Sequence, residues 1–398
     1  MINRFIYKEL QNELTEPEID ILLGARQVGK TTLLKALENR AQELGLKTAF
    51  FDLEQSDVLA AFNLPEKQIA EKLSSAGRVV FIDEFQYIQN ASKIFKAIYD
   101  SPAKIKLICS GPSSLEIHKH LKESLAGRRR LFRIFPLDYA EIKQSIQDFR
   151  LDNYLRFGGM PVLTHTPSED KKQILLAELL SAFILKDIKS LIKEENITAF
   201  NHLMYLLAQS QASVVSVHSL AKEVGLSSKA LNRYLDILEQ TFVNFRLHSF
   251  STNLGNELKK SFKTYLYDLG VRNALLKDFS FPDDRADKGV LFESAAFLKL
   301  HSMLKPNMEL RFWRTQDGSE VDFILVKDRK PLPIEIKGQL SHPAVPAGIK
   351  RFLARYTSVK KAVVINETQS AVSQGHGCSI HFFRLEDFLL QAGKILSF

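Results

Sequence analysis

Short apolar runs alternate with charged, amphipathic segments along the first third of the chain. Ile19 to Leu23, Thr48 to Leu53, Val79 to Ile82 and Ile105 to Cys109 are mostly aliphatic or aromatic, while Lys30 to Leu44 repeats its apolar positions at helical spacing. Strands covered by helices on both faces need such unbroken apolar runs, so residues from about Ile2 to about Pro136 are predicted to form a parallel α/β sheet domain. From about Leu137 to Leu247 the spacing turns helical almost throughout, broken by Gly158-Gly159 within Asp152 to Pro161 and by a loop from Thr164 to Asp170. The end of that stretch, Ser216 to Leu247, reads as helix, turn at Gly225, second helix, then a strand-like Phe242 to Leu247. After a polar stretch from Ser249 to Ser261, strands and helices mix from Thr264 onward. The predicted domains are 1–136, 137–250 and 251–398. No internal repeat or flexible low-complexity linker interrupts them.

The chain has 398 residues, room for two or three domains, and its 45% hydrophobic and 25% charged residues are the usage of a folded protein. Disordered, collagen-like and coiled-coil rod classes are excluded. Lys plus Arg exceed Asp plus Glu by 54 to 46, giving +8, which favours an anionic partner such as nucleotide or nucleic acid. Two cysteines, Cys109 and Cys378, make no disulfide framework and show no zinc-ligand spacing, which fits a reducing cytoplasm. The N-terminus lacks the apolar run of a signal peptide. The longest uncharged stretch, Leu203 to Ala221, is interrupted by Gln, Ser and His, so no membrane span is expected.

Gly24-Ala25-Arg26-Gln27-Val28-Gly29-Lys30-Thr31 fits G-x-x-x-x-G-K-[ST] between a predicted strand and a predicted helix, the context that a phosphate loop requires. Its amides and the helix N-terminus would face phosphate oxygens, Lys30 the β and γ phosphates, Thr31 a Mg²⁺ ion and Thr32 the α-phosphate. A glycine-rich turn with a surface lysine is the bland alternative. Against it stands Val79-Val80-Phe81-Ile82-Asp83-Glu84, where Asp83 is expected in the Mg²⁺ shell and Glu84 as the base that orients and deprotonates water. Ser110, ending the strand from Ile105, would help place that water, or is a plain strand-ending serine. In Leu125-Ala126-Gly127-Arg128-Arg129-Arg130, Arg128 is the first candidate for an arginine finger; the run also reads as a solvated face or polyanion patch. A finger supplied by another copy would require a homo-oligomer.

Ser319 to Val326 and Leu332 to Lys337 read as a hairpin joined by the turn Lys327 to Lys330. Alternation puts Ile334 and Ile336 in the core and Glu335 and Lys337 on the other face, where Asp322 can join them. Asp322 and Glu335 would ligate Mg²⁺, with Lys337 activating water for phosphodiester hydrolysis and Glu293, on a helix beginning near Gly289, as fourth member. Exposed strands also carry Glu and Lys merely as cross-strand partners. Between Ser219 and Tyr234 the chain fits a helix-turn-helix whose groove-facing residues would be Ser228, Lys229, Asn232 and Arg233, although many such modules only pack against neighbours.

In this order the motifs resemble a widespread prokaryotic family of AAA-type P-loop ATPases with a C-terminal restriction-endonuclease-like domain. The resemblance covers nearly the whole chain. Besides the phosphate motifs it rests on Asp83-Glu84-Phe85-Gln86, Leu125-Ala126-Gly127-Arg128, Tyr154-Leu155-Arg156-Phe157-Gly158-Gly159-Met160-Pro161, Tyr265-Leu266-Tyr267-Asp268-Leu269-Gly270 and Phe312-Trp313-Arg314-Thr315. It implies that Glu293, Asp322, Glu335 and Lys337 fall on a nuclease-like PD-(D/E)xK signature. Ser110-Gly111-Pro112-Ser113 departs from the family, a proline interrupting its usual Gly-Ser pairing. The expected protein is a DNA-directed, Mg²⁺-dependent ATPase with a helical lid, a winged-helix segment and a Mg²⁺-dependent deoxyribonuclease domain. The competing readings are an ATP-driven switch or scaffold, binding DNA or protein, whose nuclease-like domain is inactive.

Overall fold

A computed structural model of the chain describes residues 2–112, 125–183, 197–250 and 261–396; Ser113 lies outside them. The architecture is α/β. It divides into two compact units, Met1–Leu137 with Gln240–Val243, and Asp138–Glu239 with Asn244–Phe398.

The first unit is built on five strands, β1 (Ile19–Leu23), β2 (Thr48–Asp52), β3 (Val79–Asp83), β4 (Lys106–Gly111) and β5 (Arg129–Arg133), in the order β2-β3-β4-β1-β5. Every neighbouring pair is parallel, so all carboxyl ends lie along one edge. The three central strands are buried along their full length and mostly apolar, and the charged side chains within β1 and β4, Asp20 and Lys106, pair with each other at 2.8 Å. β4 runs two residues further than the apolar pattern predicts, because Ser110 and Gly111 pair with Leu22 and Leu23 of β1. The helix Lys30–Glu43 covers the sheet with Leu33, Leu34, Leu37 and Ala41, apolar positions that recur on one helical face.

The second unit holds two sheets. β6 (Val214–Ser216), β7 (Asn244–His248) and β8 (Ser261–Leu266) form an antiparallel sheet in the order β6-β8-β7, beside the helices Ile197–Gln209, Val217–Glu223 and Ser228–Gln240. Helix, strand, helix, helix, strand, strand is the winged-helix order, with Gly225 in the turn between the last two helices. β9 (Met308–Arg314), β10 (Glu320–Lys327), β11 (Lys330–Ile336), β12 (Lys361–Asn366), β13 (Ala371–Gly375) and β14 (Cys378–Arg384) form a mixed sheet, β13-β14-β12-β11-β10-β9. β10 and β11 are the antiparallel hairpin that the alternation predicts, with Phe323 opposite Ile334. Trp313, Val321, Ile324 and Phe352 anchor its core.

The expected three-domain division requires correction at 250/251. β8 belongs to the winged-helix sheet, pairing with β7 across that boundary, and Gln211 Nε2 donates to Ser294 Oγ at 2.7 Å, joining helical and C-terminal segments in one unit. Hydrophobic pattern alone assigns a strand to no particular sheet, and β8 follows a polar stretch that resembles a domain boundary.

Two of the longer motifs serve the fold. Asp268 caps the helix Leu269–Leu276 through Val271 N–H at 3.0 Å and accepts Gly159 N–H at 2.7 Å. A Cβ on Gly158 would lie 2.2 Å from Asp268 Oδ1, so the Gly-Gly turn and the aspartate require each other. Burial pushes the Asp268 carboxyl up to about 6, against the pull of those backbone N–H donors. An acid raised from 3.8 binds its proton more readily folded than unfolded, so its contribution to stability falls as pH rises from about 4 to about 6. Asp268→Asn keeps a capping oxygen and is predicted to flatten this loss, about 2 kcal/mol of which falls between pH 4.5 and 6.5, in urea midpoints measured at those two values.

Candidate functional site

The carboxyl edge of the first sheet collects the phosphate-loop residues. β4 lies between β1 and β3, so Ser110 stands between the loop after β1 and the acids after β3. Gly29 enters the helix in the left-handed region (φ +94°) and Gln27 also takes positive φ (+59°), which curls Gly24 to Gly29 around the helix start. Lys30 is buried and its ammonium donates to the carbonyls of Gly24 (3.1 Å) and Ala25 (2.8 Å), inside the loop that phosphate oxygens would enter. Thr31 is half-buried and Thr32 exposed at the same helix start, while Arg26 lies 3.9 Å from Glu54. A residue that the motif does not announce, Arg4, donates to the carbonyls of Val28 (2.9 Å) and Phe135 (2.7 Å), fastening the loop's far side.

Asp83 ends β3 fully buried and accepts the Ser110 hydroxyl. Glu84 follows in the left-handed region (φ +55°), at the turn that leaves the strand. Gln86 Nε2 donates to Glu84 Oε2 at 2.5 Å. Burial raises the Glu84 carboxyl above the usual glutamate range, against Gln86 and Lys30. Two adjacent acids thus have separate settings: Asp83 is fixed by a hydroxyl, and Glu84 is a more basic carboxylate. The donor set suits a Mg–nucleotide: Mg²⁺ is commonly held by one or two carboxylates with substrate phosphates, which these residues provide without an all-protein cage.

Arg128, the candidate finger, stands away from the loop of its own chain. It lies at the start of β5, where its carbonyl accepts Ile19 N–H, whereas Lys30 follows the far end of β1 about 13 Å along the strand. Its guanidinium binds Asp100 Oδ1 at 2.9 Å and Oδ2 at 3.3 Å and lies over the Tyr99 ring. Arg128 therefore does not reach a phosphate in its own loop. The sequence places a run of arginines after a turn; which end of a parallel strand receives it depends on strand direction.

In the second unit, Glu293, Asp322, Glu335 and Lys337 come together, and three residues outside the sequence prediction join them. Lys263 of β8 is 1% exposed and sends its ammonium to Glu320 Oε1 (2.6 Å), Glu293 Oε1 (2.9 Å) and Asp322 Oδ1 (3.3 Å). Tyr265 donates to Glu293 Oε1 at 2.6 Å. Asp322 sits where the β9–β10 register shifts, and its Oδ2 accepts Ile336 N–H at 2.8 Å. Lys337 Nζ lies 2.7 Å from Glu335 Oε1, while Glu335 Oε2 is buried with no hydrogen-bond partner among the described residues. Burial, then Asp322, raises both Glu293 and Glu335. Burial pulls Lys263 and Lys337 down, but their carboxylates outweigh it and hold both above the usual lysine range. These acids surround an ammonium, and among the described residues no three His, Cys, Asp or Glu side chains are placed to hold a metal ion. The donor set therefore does not fit the expected Mg²⁺ ligation by Asp322 and Glu335 while Lys263 stands among the acids. On the helix Ser228–Gln240, Ser228, Lys229, Asn232 and Arg233 are all exposed, opposite buried Leu231, Tyr234, Leu235 and Leu238.

Residues 16–143 match the family described as AAA domain, and residues 148–281 and 288–388 match two domains of unknown function, DUF8612 and DUF4143. The first unit is an AAA-type P-loop ATPase domain. An uncharacterized protein of Mycobacterium tuberculosis is 27% identical over 358 residues, 89% of this chain and 78% of that one. Another from Methanocaldococcus jannaschii is 25% identical over 350 residues, 83% of this chain and 77% of that one. Among solved structures, AMPPCP-bound DnaA from Aquifex aeolicus is similar at 16% identity and a TM-score of 0.33, covering 59% of this chain and 86% of that chain, a likeness too distant to carry an argument. No helix among the described residues is long and apolar enough to cross a membrane.

Since Arg128 is tied to Asp100 away from the AAA-type loop, Arg128→Ala is predicted to leave nucleotide affinity within about twofold of the parent. Arg4→Ala, which frees the Val28 carbonyl, is predicted to weaken it by about tenfold, both read by fluorescent-nucleotide titration.

Proposed function

We propose that the chain hydrolyses ATP with Mg²⁺ and uses the cycle to switch a DNA-directed second unit, in the cytoplasm. The observation that carries this reading is the single edge on which the curled loop with Lys30, the Asp83–Ser110 pair and the raised carboxyl of Glu84 stand together. In this reading the loop amides and Lys30 would grip the triphosphate, and Thr31 and Asp83 are the residues that would hold the ion. Mg²⁺, when bound, would offset charge on the β and γ oxygens. Glu84 orients a water and takes its proton, and its raised basicity suits that task. Ser110, donating to Asp83, holds that carboxylate in place.

DNA as partner is supported by the excess of 54 basic over 46 acidic residues and by the winged-helix order, whose third helix, Ser228–Gln240, exposes Lys229, Asn232 and Arg233. Cleavage of DNA at Glu293, Asp322, Glu335 and Lys337 is a second reading, favoured by the buried, unpartnered oxygen of Glu335. Lys263 among the carboxylates weighs against it, so the nuclease-like sheet is read as part of the switch. A finger from a neighbouring copy, and hence a homo-oligomer, remains within this proposal because Arg128 does not serve its own site.

Glu84→Gln is predicted to retain nucleotide binding and lose at least about 100-fold in turnover, while Lys30→Ala loses both; undiminished turnover in Lys30→Ala would contradict the assignment. DNA affinity is predicted to fall steeply with salt, and Lys229→Ala and Arg233→Ala each to lower the log–log slope by about one. A flat salt response would remove the phosphate-contact argument.

A further inference from the structure

β8 presents different chemistry on its two faces. Thr264 Oγ1 donates to Asn244 Oδ1 at 2.6 Å, and Leu266 N–H donates to Gln211 Oε1 at 3.0 Å, so this strand is fixed within the winged-helix unit. Lys263 and Tyr265 alternate onto the opposite face and enter the carboxylates of the helix Lys288–Ser302 and of β10. The Lys263 ammonium has three N–H donors and three carboxylate neighbours, Glu293, Glu320 and Asp322, so its hydrogen-bonding capacity is filled. Asp322 has a donor on each oxygen, Lys263 on one and Ile336 N–H on the other. Glu335 Oε2 alone in this set is a buried carboxylate oxygen with no hydrogen-bond partner among the described residues, on a side chain 7% exposed.

We infer that Lys263 is the resident cation of this cluster and excludes divalent metal from it, so that the second unit binds none at Asp322 and Glu335 while the lysine is present. A doubly charged ion beside Asp322 would stand within a few ångströms of the ammonium in surroundings where charge is poorly screened. Removing the ammonium reverses the balance: Glu293, Glu320, Asp322 and Glu335 would then face one another with Lys337 and Arg314 as their remaining basic neighbours. Such a site is an oxygen-rich pocket suited to a hard divalent ion. The inference is independent of the nucleotide reading, because its test contains no nucleotide.

The test is Mn²⁺ binding to the full chain, followed by the electron paramagnetic resonance of free Mn²⁺. Parent and Asp322→Asn are expected to bind alike. Lys263→Ala is expected to gain one Mn²⁺ per chain, weakened at least about tenfold when Asp322→Asn is added. Mn²⁺ binding by the parent that Asp322→Asn abolishes would overturn the inference, as would a folded Lys263→Ala with no gain. Lys263→Met, which keeps the buried volume, guards against misfolding. If both variants are unfolded in chelator, Mn²⁺ is expected to restore their thermal transition, and failure to do so would also overturn the inference. The parent's transition is expected to stay where it is in Mn²⁺.

Discussion

Parallel strands send all their carboxyl ends to one edge, and on that constraint the AAA-type unit depends. The loop after β1, the acids after β3 and the serine ending β4 are separated by tens of residues, yet the order β2-β3-β4-β1-β5 makes their strands neighbours. The sheet holds that order because β1, β3 and β4 are mostly apolar and buried along their length, with the charges of Asp20 and Lys106 paired inside it. Polar groups at the strand ends are then carried to the rim together. Burial at that rim sets their chemistry, raising Glu84 while Ser110 fixes Asp83.

The second unit shows the same economy with opposite charges. Its winged helix and mixed sheet share β8, whose Thr264 binds Asn244 of β7 while Lys263 reaches acids of β10 and of the helix Lys288–Ser302. A movement of β8 would therefore be felt in the carboxylate cluster. Removing Lys263 would leave its carboxylates uncompensated in the interior, a change that typically costs about 3–5 kcal/mol when one partner of a buried ion pair is lost.

What the sequence made legible follows from what is local. The phosphate loop, the acids at 83 and 84 and the hairpin from Glu320 to Ile336 are contiguous patterns with a fixed period, and each takes the expected local form. Placement of Arg128 was not legible, because its distance from Lys30 depends on the direction of β5 and on the Asp100 partner. Lys263 was hidden for a different reason: in the run Ser261 to Leu266 it reads as the exposed, charged position of an alternating strand. Only the packing of β8 against β10 turns that outward position into a buried one. Arg4 was equally silent, a lone arginine before the first helix whose partners are backbone carbonyls 24 and 131 residues away.

The most direct measurement is calorimetric titration of the folded, full-length chain with Mg²⁺–ATP. The account predicts saturable heat at one nucleotide per chain that disappears with Lys30→Ala. Absence of heat with the parent chain, or equal heat with both, would contradict a triphosphate held by the loop from Gly24 to Lys30.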